Sequence, residues 1–335
     1  MKKKICFIYC GGTIGMVKNT NGFLVSVGSA KDLFSFVPGI EELADFDYKF
    51  VANIDSTNMH SGIWKKLAQT IFDEYDKCDG FVVVHGTDTM AYTASALSFA
   101  LQNLSKPVVI TGSQKPIFDL ASDAQNNLIN AVKVALMDVP EVCIVFGTKI
   151  LRGNRAQKRS ESNLNAFWSP VALPLGCIAL EPEIYYDCVI HAKKQGLILK
   201  PDFENETMFY QIFPGLNAKY VEAAIDSGCK GIILNSYGAG NVPNAEYSLL
   251  PIIKKAVATN VPVVIATQCV EGSAKMHMYE VGAAALEAGA VSALDMTSEA
   301  AVTKLMWTLA QTRDLFEIKK IMQTNFVGEI SIINQ

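Results

Sequence analysis

Two short apolar runs each break into a Gly-Thr turn, and this pairing restricts the fold more than any other feature of the chain. Ile5–Cys10 runs into Gly11-Gly12-Thr13-Ile14-Gly15, and Phe81–Val84 runs into His85-Gly86-Thr87-Asp88-Thr89-Met90. Short apolar runs ending in glycine read as buried parallel strands, covered on both faces, with glycine marking the turn. In open α/β sheets, ligands bind at the carboxyl edge of such strands. Two hydroxyls and a carboxylate delivered to that edge point to a reaction site rather than to packing.

The surrounding sequence supports the sheet. Strand-like runs at Tyr48–Ile54, Phe81–Val84, Pro107–Thr111 and Val142–Phe146 alternate with helix-like segments at Ser61–Tyr75, Thr89–Leu101 and Ser122–Met137. In the second helix Met90, Ala94, Leu97 and Leu101 recur at helical spacing, and Asp88 or Thr89 is placed to cap its start. Strands separated by helices imply right-handed crossovers and a largely parallel sheet. Periodicity fades from Ile150 to about Ile190, and residues 191–210 are polar. Alternation then resumes: Ala218–Ser227, Ser248–Ala258 and Ser298–Gln311 read as helices, Gly231–Leu234 and Pro262–Ala266 as strands. The expectation is a two-domain α/β protein. A larger N-terminal, mostly parallel sheet domain spans 1–190, a linker 191–210, and a smaller C-terminal α/β domain 211–335.

Composition narrows the partners. A net charge of −4 over 335 residues, spread evenly, argues against nucleic acid or an anionic membrane surface. The six apolar residues after Met1-Lys2-Lys3-Lys4 fall short of the roughly 7–15 of a secretory h-region. No run approaches the ~18 apolar residues of a membrane span, so a cytoplasmic location is expected. The eight cysteines form no C-x-x-C pair and mostly sit in apolar runs, reading as reduced, buried small hydrophobes.

Taken singly, each polar residue at the edge has a bland reading. Gly11–Gly15 suits a tight turn as well as a ligand approach, although Thr13 beside two glycines is open to substrate and becomes a nucleophile if a neighbour takes its proton. Asp88 at a helix start is most often a cap, and His85 most often a core histidine satisfied by a backbone carbonyl. Asp55-Ser56-Thr57-Asn58, following Tyr48–Ile54, forms a polar turn whose short side chains also suit an α-carboxylate. Lys158 alone reads as a surface lysine. Folded back against Asp88, it would instead serve a threonine as proton acceptor. The segment Gly11–Gly15 lacks the Gly-Lys-Ser/Thr ending of a P-loop and the spacing of a dinucleotide fingerprint.

Together, Gly11-Gly12-Thr13-Ile14 and His85-Gly86-Thr87-Asp88-Thr89-Met90 resemble the two signatures of the bacterial-type L-asparaginases. The resemblance extends along the chain: Thr111-Gly112-Ser113-Gln114, Arg152-Gly153-Asn154-Arg155, Ser236-Tyr237-Gly238 and Thr267-Gln268-Cys269 look like the cytoplasmic type I branch. It implies Thr13 as the nucleophile of an acyl-enzyme, with Thr87, Lys158 and Asp88 as a second catalytic group. It implies Ser56, Thr57, Gly12, Gly86 and Asp88 as substrate contacts, Asp88 meeting the substrate ammonium and Ser56 the α-carboxylate. Backbone N–H groups at Gly12 or nearby would face the oxyanion. No metal or cofactor is implied, and the partner is the small-molecule substrate L-asparagine, in a homotetramer built as a dimer of dimers. Phe23 takes the lid position, where the family commonly has tyrosine, and Cys10 stands where threonine is usual. Asn235, with Thr267 and Cys269, takes the position of an allosteric asparagine site, but regulated enzymes carry arginine in place of Asn235, so the resemblance to that site is incomplete.

Two other functions fit the same motifs. One is the ammonia-releasing subunit of a tRNA-dependent amidotransferase. Such subunits resemble asparaginases but carry an additional N-terminal domain, whereas Thr13 lies close to the start of this sequence. The other is a non-catalytic asparagine sensor on the same fold.

Overall fold

The computed structural model describes residues 2–18, 24–26, 33–191 and 195–331. The chain divides into two compact units, Met1–Pro201 and Asp202–Gln335, and each has the α/β character expected from the sequence.

The first unit is built on an eight-stranded sheet. Its parallel part comprises β1 (Lys4–Gly11), β2 (Asp45–Ile54), β3 (Gly80–Val84), β4 (Val108–Thr111) and β5 (Val142–Phe146), laid out in the order β2-β1-β3-β4-β5. The chain moves outward from β1 to β2 and then returns to place β3 on the other side of β1. The gap between β1 and β3 is therefore the topological switch point, the place where such sheets bind ligands. The cause lies in composition. Val82, Val83 and Val84 are fully buried, and Ile5, Phe7 and Tyr9 pack into one core with Leu128 and Ala131. Helices α1 (Ser61–Glu74), α2 (Met90–Ala100) and α3 (Ala124–Ala135) supply the covering layers. In α2 every residue except Tyr92 is buried, so it is a core helix rather than an amphipathic one.

The weakly periodic region after residue 147 folds as antiparallel pairs. β6 (Lys149–Arg152) turns back on β5, and β9 (Gly176–Ile178) and β10 (Pro182–Ile184) extend the sheet beyond it. Between them, β7 (Gln157–Lys158) and β8 (Phe167–Trp168) form a separate hairpin. Strands of two to four residues are too short for an alternation to register, which explains the poor pattern there.

The polar stretch 191–210 is partly structured. Ile198–Leu199 pairs with Leu101–Gln102, and Thr207–Gln211 is β11, first strand of the second unit. That unit carries the parallel sheet β11-β12-β13-β14, with β12 at Gly231–Ser236, β13 at Val263–Thr267 and β14 at Val291–Ser292. Its helices are α4 (Lys219–Asp226), α5 (Leu250–Ala258), α6 (Glu280–Glu287), α7 (Ser298–Gln311) and α8 (Leu315–Gln323). Among the described residues no helix is long and apolar enough to cross a membrane. All eight cysteines are free thiols. Burial pushes the thiols of Cys6, Cys10 and Cys143 well above their ordinary range, which keeps them protonated and inert.

Candidate active site

The site grows from the register of four strands. Tyr9 lies opposite Val84, Val84 opposite Thr111, and Gly11 opposite Ile54 after a shift in the β1 ladder. The segments that follow, Gly12-Thr13, His85–Asp88, Asp55–Thr57 and Gly112–Gln114, thus emerge along one edge. Glycine makes their contact possible. Gly12 adopts φ +98°, and a Cβ there would lie 2.5 Å from the Gly86 nitrogen. A Cβ on Gly86 would lie 2.7 Å from Ser56 Oγ. The backbones next to Thr13 and Thr87 therefore touch, which brings the two Gly-Thr turns together, and the Ser56 side chain packs against the second of them. Thr13 itself is half-buried, and Ile14 ties its turn to the stretch just after Gly112–Gln114 by accepting from the Ile117 N–H at 3.1 Å.

The second turn is held from behind. His85 Nδ1 lies 2.7 Å from the Gly86 carbonyl, and His85 Nε2 lies 2.8 Å from Thr93 Oγ1. A carbonyl can only accept, so Nδ1 carries the proton and Nε2 accepts from the Thr93 hydroxyl. Thr93 Oγ1 in turn accepts from Trp64 Nε1 at 3.0 Å. Burial lowers the His85 pKa from 6.5 to about 4, so the ring is neutral and structural. His85 is the satisfied core histidine of the bland sequence reading.

Asp88 and Thr89 depart from the expected capping role. Thr89 occupies the N-cap position of α2, but no side-chain cap bond forms. Its hydroxyl donates instead to the Ser56 carbonyl at 2.8 Å, tying the α2 start to the 56–58 turn. The Asp88 carboxylate accepts from Lys158 Nζ at 2.6 Å, and the same ammonium donates to Thr87 Oγ1 at 2.8 Å. Lys158 is delivered by the β7–β8 hairpin, where it pairs with buried Phe167, whose ring packs edge-on against Phe146. Only 18 % of its side chain is exposed, against 55 % for Asp88. Lys158 is therefore no surface lysine, and Asp88 retains a face open to a ligand.

Other expected site residues differ in detail. Ser56 is buried, whereas Thr57 is exposed and its hydroxyl donates to Asp55 Oδ1 at 2.8 Å. The Gly12 N–H does not face an oxyanion, because it donates to the Ile54 carbonyl at 3.1 Å. What Gly12 contributes is close approach. Phe23 lies outside the described residues. Gln114 was legible only as part of a motif, yet its Oε1 lies 3.3 Å from Thr87 Oγ1. No periodicity or spacing marks such a residue, because its partner is distant in sequence.

In the second unit, Asn235 and Thr267 lie opposite Ala266 and Ser236 at the carboxyl ends of β12 and β13. Thr267 Oγ1 donates to the Gly238 carbonyl and accepts from the Cys269 N–H at 3.1 Å. Around this edge the buried Asn235 Oδ1, Tyr237 Oη, Asn241 Oδ1 and Ser273 Oγ have no hydrogen-bond partner.

Comparison with known proteins fits this geometry. Residues 4–189 match the family described as Asparaginase, N-terminal, and residues 208–322 match the Glutaminase/Asparaginase C-terminal domain. The chain is 37% identical to L-asparaginase 1 of Escherichia coli K12, over 98% of each chain. It superimposes on the solved thermostable L-asparaginase of Thermococcus kodakarensis with a TM-score of 0.92 and 37% identity, covering 98% of this chain and 99% of that one. It is also 35% identical to a glutamyl-tRNA(Gln) amidotransferase subunit of Pyrococcus abyssi, over 98% of this chain and 77% of that protein. Matched from strand β1 into helix α8 by the two halves of the family, the chain belongs to the asparaginases, a family of amide hydrolases.

Proposed function

We propose that this protein is an L-asparagine amidohydrolase, converting L-asparagine and water to L-aspartate and ammonia through a threonyl ester. One observation carries the reading: Lys158 holds Thr87 Oγ1 and Asp88 Oδ1 together on the turn that packs against Gly12, next to Thr13. A threonine hydroxyl is a weak nucleophile until its proton has somewhere to go. Thr13 attacks the side-chain amide carbon while Thr87 Oγ1, held by the Lys158 ammonium, orients the attacking hydroxyl as an acceptor, and the Thr13 proton passes to the amide nitrogen, which leaves as ammonia. Water then hydrolyses the ester, releasing L-aspartate and restoring the Thr13 hydroxyl. The exposed face of Asp88 receives the substrate ammonium, and Ser56 receives the α-carboxylate.

The test is ammonia release from L-asparagine by the purified protein, beside a Thr13→Ala control. The control is expected to lose at least ~10³-fold in rate, the scale of removing a nucleophile from an acyl-transfer enzyme. Activity equal to the control would sink the proposal. Turnover in the cytoplasm by a homotetramer belongs to the same reading, and light scattering near one 36.4 kDa chain would remove the tetramer.

The four unpartnered polar atoms near Asn235, Thr267 and Cys269 support a second amino-acid site in the C-terminal unit. Sigmoidal dependence of rate on L-asparagine is its expected sign, and a plain hyperbola would count against it. Identity with the amidotransferase chain favours, as the alternative reading, ammonia supply to a tRNA-dependent partner. Copurification with a second protein and tRNA would support that alternative.

A further inference from the structure

The contacts of Thr87 fix the direction of its hydrogen as well as the position of its oxygen. A hydroxyl has one hydrogen to give, and an ammonium group accepts none. Because Lys158 Nζ donates to Thr87 Oγ1 at 2.8 Å, the Thr87 hydrogen must point elsewhere. Gln114 Oε1, 3.3 Å away, is placed to take it. The amide cannot face the other way. Its NH2 group lies 3.2 Å from the Asn163 carbonyl and 3.4 Å from the Ser160 carbonyl, and a flip would set an oxygen against both.

The rest of the residue is held just as firmly. The Gln114 N–H donates to the Asp123 carboxylate at 3.0 and 3.2 Å, and the Lys115 N–H donates to it at 3.1 Å. Asp123 is buried and also accepts from Asn127 Nδ2 at 3.0 Å. Asn127 spans further, donating to the Gly112 carbonyl at 2.9 Å and accepting from the Gly147 N–H at 3.0 Å. Gln114 is thus presented to Thr87 by a network anchored on α3 and on the turns after β4 and β5.

We propose that Gln114 is a positioning residue that takes the Thr87 hydrogen in the resting enzyme. Thr87 Oγ1, already accepting from Lys158, then turns its remaining lone pair toward the reaction site as an acceptor. Without the Gln114 oxygen, the hydrogen swings toward the substrate and Thr87 becomes a donor where an acceptor is needed. The kinetic consequence rests on the asparaginase reading; the hydrogen's direction does not.

The test compares Gln114→Met, which keeps the bulk without the acceptor, with Gln114→Glu, whose protonated carboxyl keeps an acceptor oxygen toward Thr87 and turns its O–H to the Asn163 and Ser160 carbonyls in place of the amide. Ammonia release from L-asparagine is followed as kcat and KM, with thermal melting to confirm folding. The Met variant is expected to lose about 10- to 100-fold in kcat, part of what positioned proton transfer contributes, with KM nearly unchanged. The Glu variant is expected to regain much of that loss as pH is lowered and its carboxyl is protonated. Parental kcat in the Met variant, or equal losses in both, would overturn the proposal. Neutron diffraction from the deuterated parent gives a reading that needs no substrate and no variant. Deuterium on Thr87 Oγ1 should lie along the line to Gln114 Oε1, and any other direction overturns the assignment. A parent inert toward L-asparagine would sink the proposed activity and leave the neutron result to decide this one.

Discussion

Lys158 Nζ lies 2.8 Å from Thr87 Oγ1, although the two residues are 71 positions apart, and the same ammonium reaches Asp88 at 2.6 Å. Removing it separates catalysis from stability. In Lys158→Met the Thr87 hydroxyl loses its donor, and kcat for ammonia release is expected to fall by ~10²–10⁴, the range for losing positioned proton transfer. Asp88 is 55 % exposed, so water solvates the freed carboxylate, and stability should change by no more than about 1 kcal/mol. Lys158→Arg should not rescue, since a planar fork replaces a compact ammonium and does not hold Thr87 and Asp88 in the same geometry. Rates and urea melts of the three proteins check this. A Met variant with parental kcat would remove Lys158 from the mechanism.

Gly12 and Gly39 both have positive φ, +98° and +83°, yet only Gly12 has a neighbour within reach of a Cβ. Gly39→Ala therefore meets backbone strain alone, costing about 1–2 kcal/mol, and should leave kcat unchanged. Gly12→Ala adds a Cβ 2.5 Å from the Gly86 nitrogen, and backbone cannot step aside as a flexible side chain can. The two Gly-Thr turns must separate. Activity is expected to drop below detection, with a stability loss exceeding that of Gly39→Ala. Equal behaviour of the two variants in assay and melt would show that the close approach is unimportant.

The sheet and its active edge were legible because their causes are local. Runs such as Val82–Val84 and Val142–Phe146 are apolar throughout, as strands buried on both faces must be, and glycines mark where they end. The types of the expected elements therefore followed from sequence, with helix ends moving inward by two residues at most, while the helices Glu280–Glu287 and Leu315–Gln323 were not anticipated. The antiparallel strands Lys149–Arg152 and Gly176–Ile178 were not legible, being too short to show a period. Site residues divided along the same line. Thr13 and Thr87 sit on strand ends and announced themselves, whereas Lys158 sits on a two-stranded hairpin and was located by family resemblance alone. The roles of Gln114 and Thr89 are tertiary: each is defined by a partner 27 or 33 positions away.

Lys304 and Glu329 show another tertiary feature that no pattern announces. Their 2.6 Å ion pair has no exposed side-chain surface, and the Lys304 ammonium also donates to the Met322 and Thr324 carbonyls at 3.2 and 2.6 Å. Burial pulls the Lys304 pKa down, opposed by Glu329. Lys304→Met leaves a buried carboxylate without its cation and should cost about 3–5 kcal/mol. Adding Glu329→Leu should not restore the parent, because Glu329 also accepts from the Phe326 and Val327 N–H groups. Those donors would be stranded at about 1–3 kcal/mol each if they stay buried. Urea unfolding of the parent, single and double variants decides this. A double variant as stable as the parent would show that the carboxylate serves only the lysine.

The buried neutral His85 sets a pH window for stability. Its pKa is lowered from 6.5 to about 4 by burial, against a smaller upward pull from the Gly86 carbonyl. Below pH 6.5 the unfolded chain takes up a proton that the folded chain refuses, so the unfolded state is favoured as pH falls. The His85 contribution is fully present above the unfolded pKa, is lost progressively below it, and is exhausted near the folded pKa of about 4. At about 1.4 kcal/mol per pKa unit, the loss over the whole window is about 3 kcal/mol. Two measurements test it. With 13C-labelled histidine, the His85 resonance should keep its neutral, Nδ1-protonated signature at pH 5, and protonation above pH 6 would contradict the burial argument. Urea unfolding at pH 7 and pH 5 should show the parent losing more stability than His85→Gln, whose amide can still donate to the Gly86 carbonyl but does not titrate. Equal losses in the two proteins would assign the acid sensitivity to other groups.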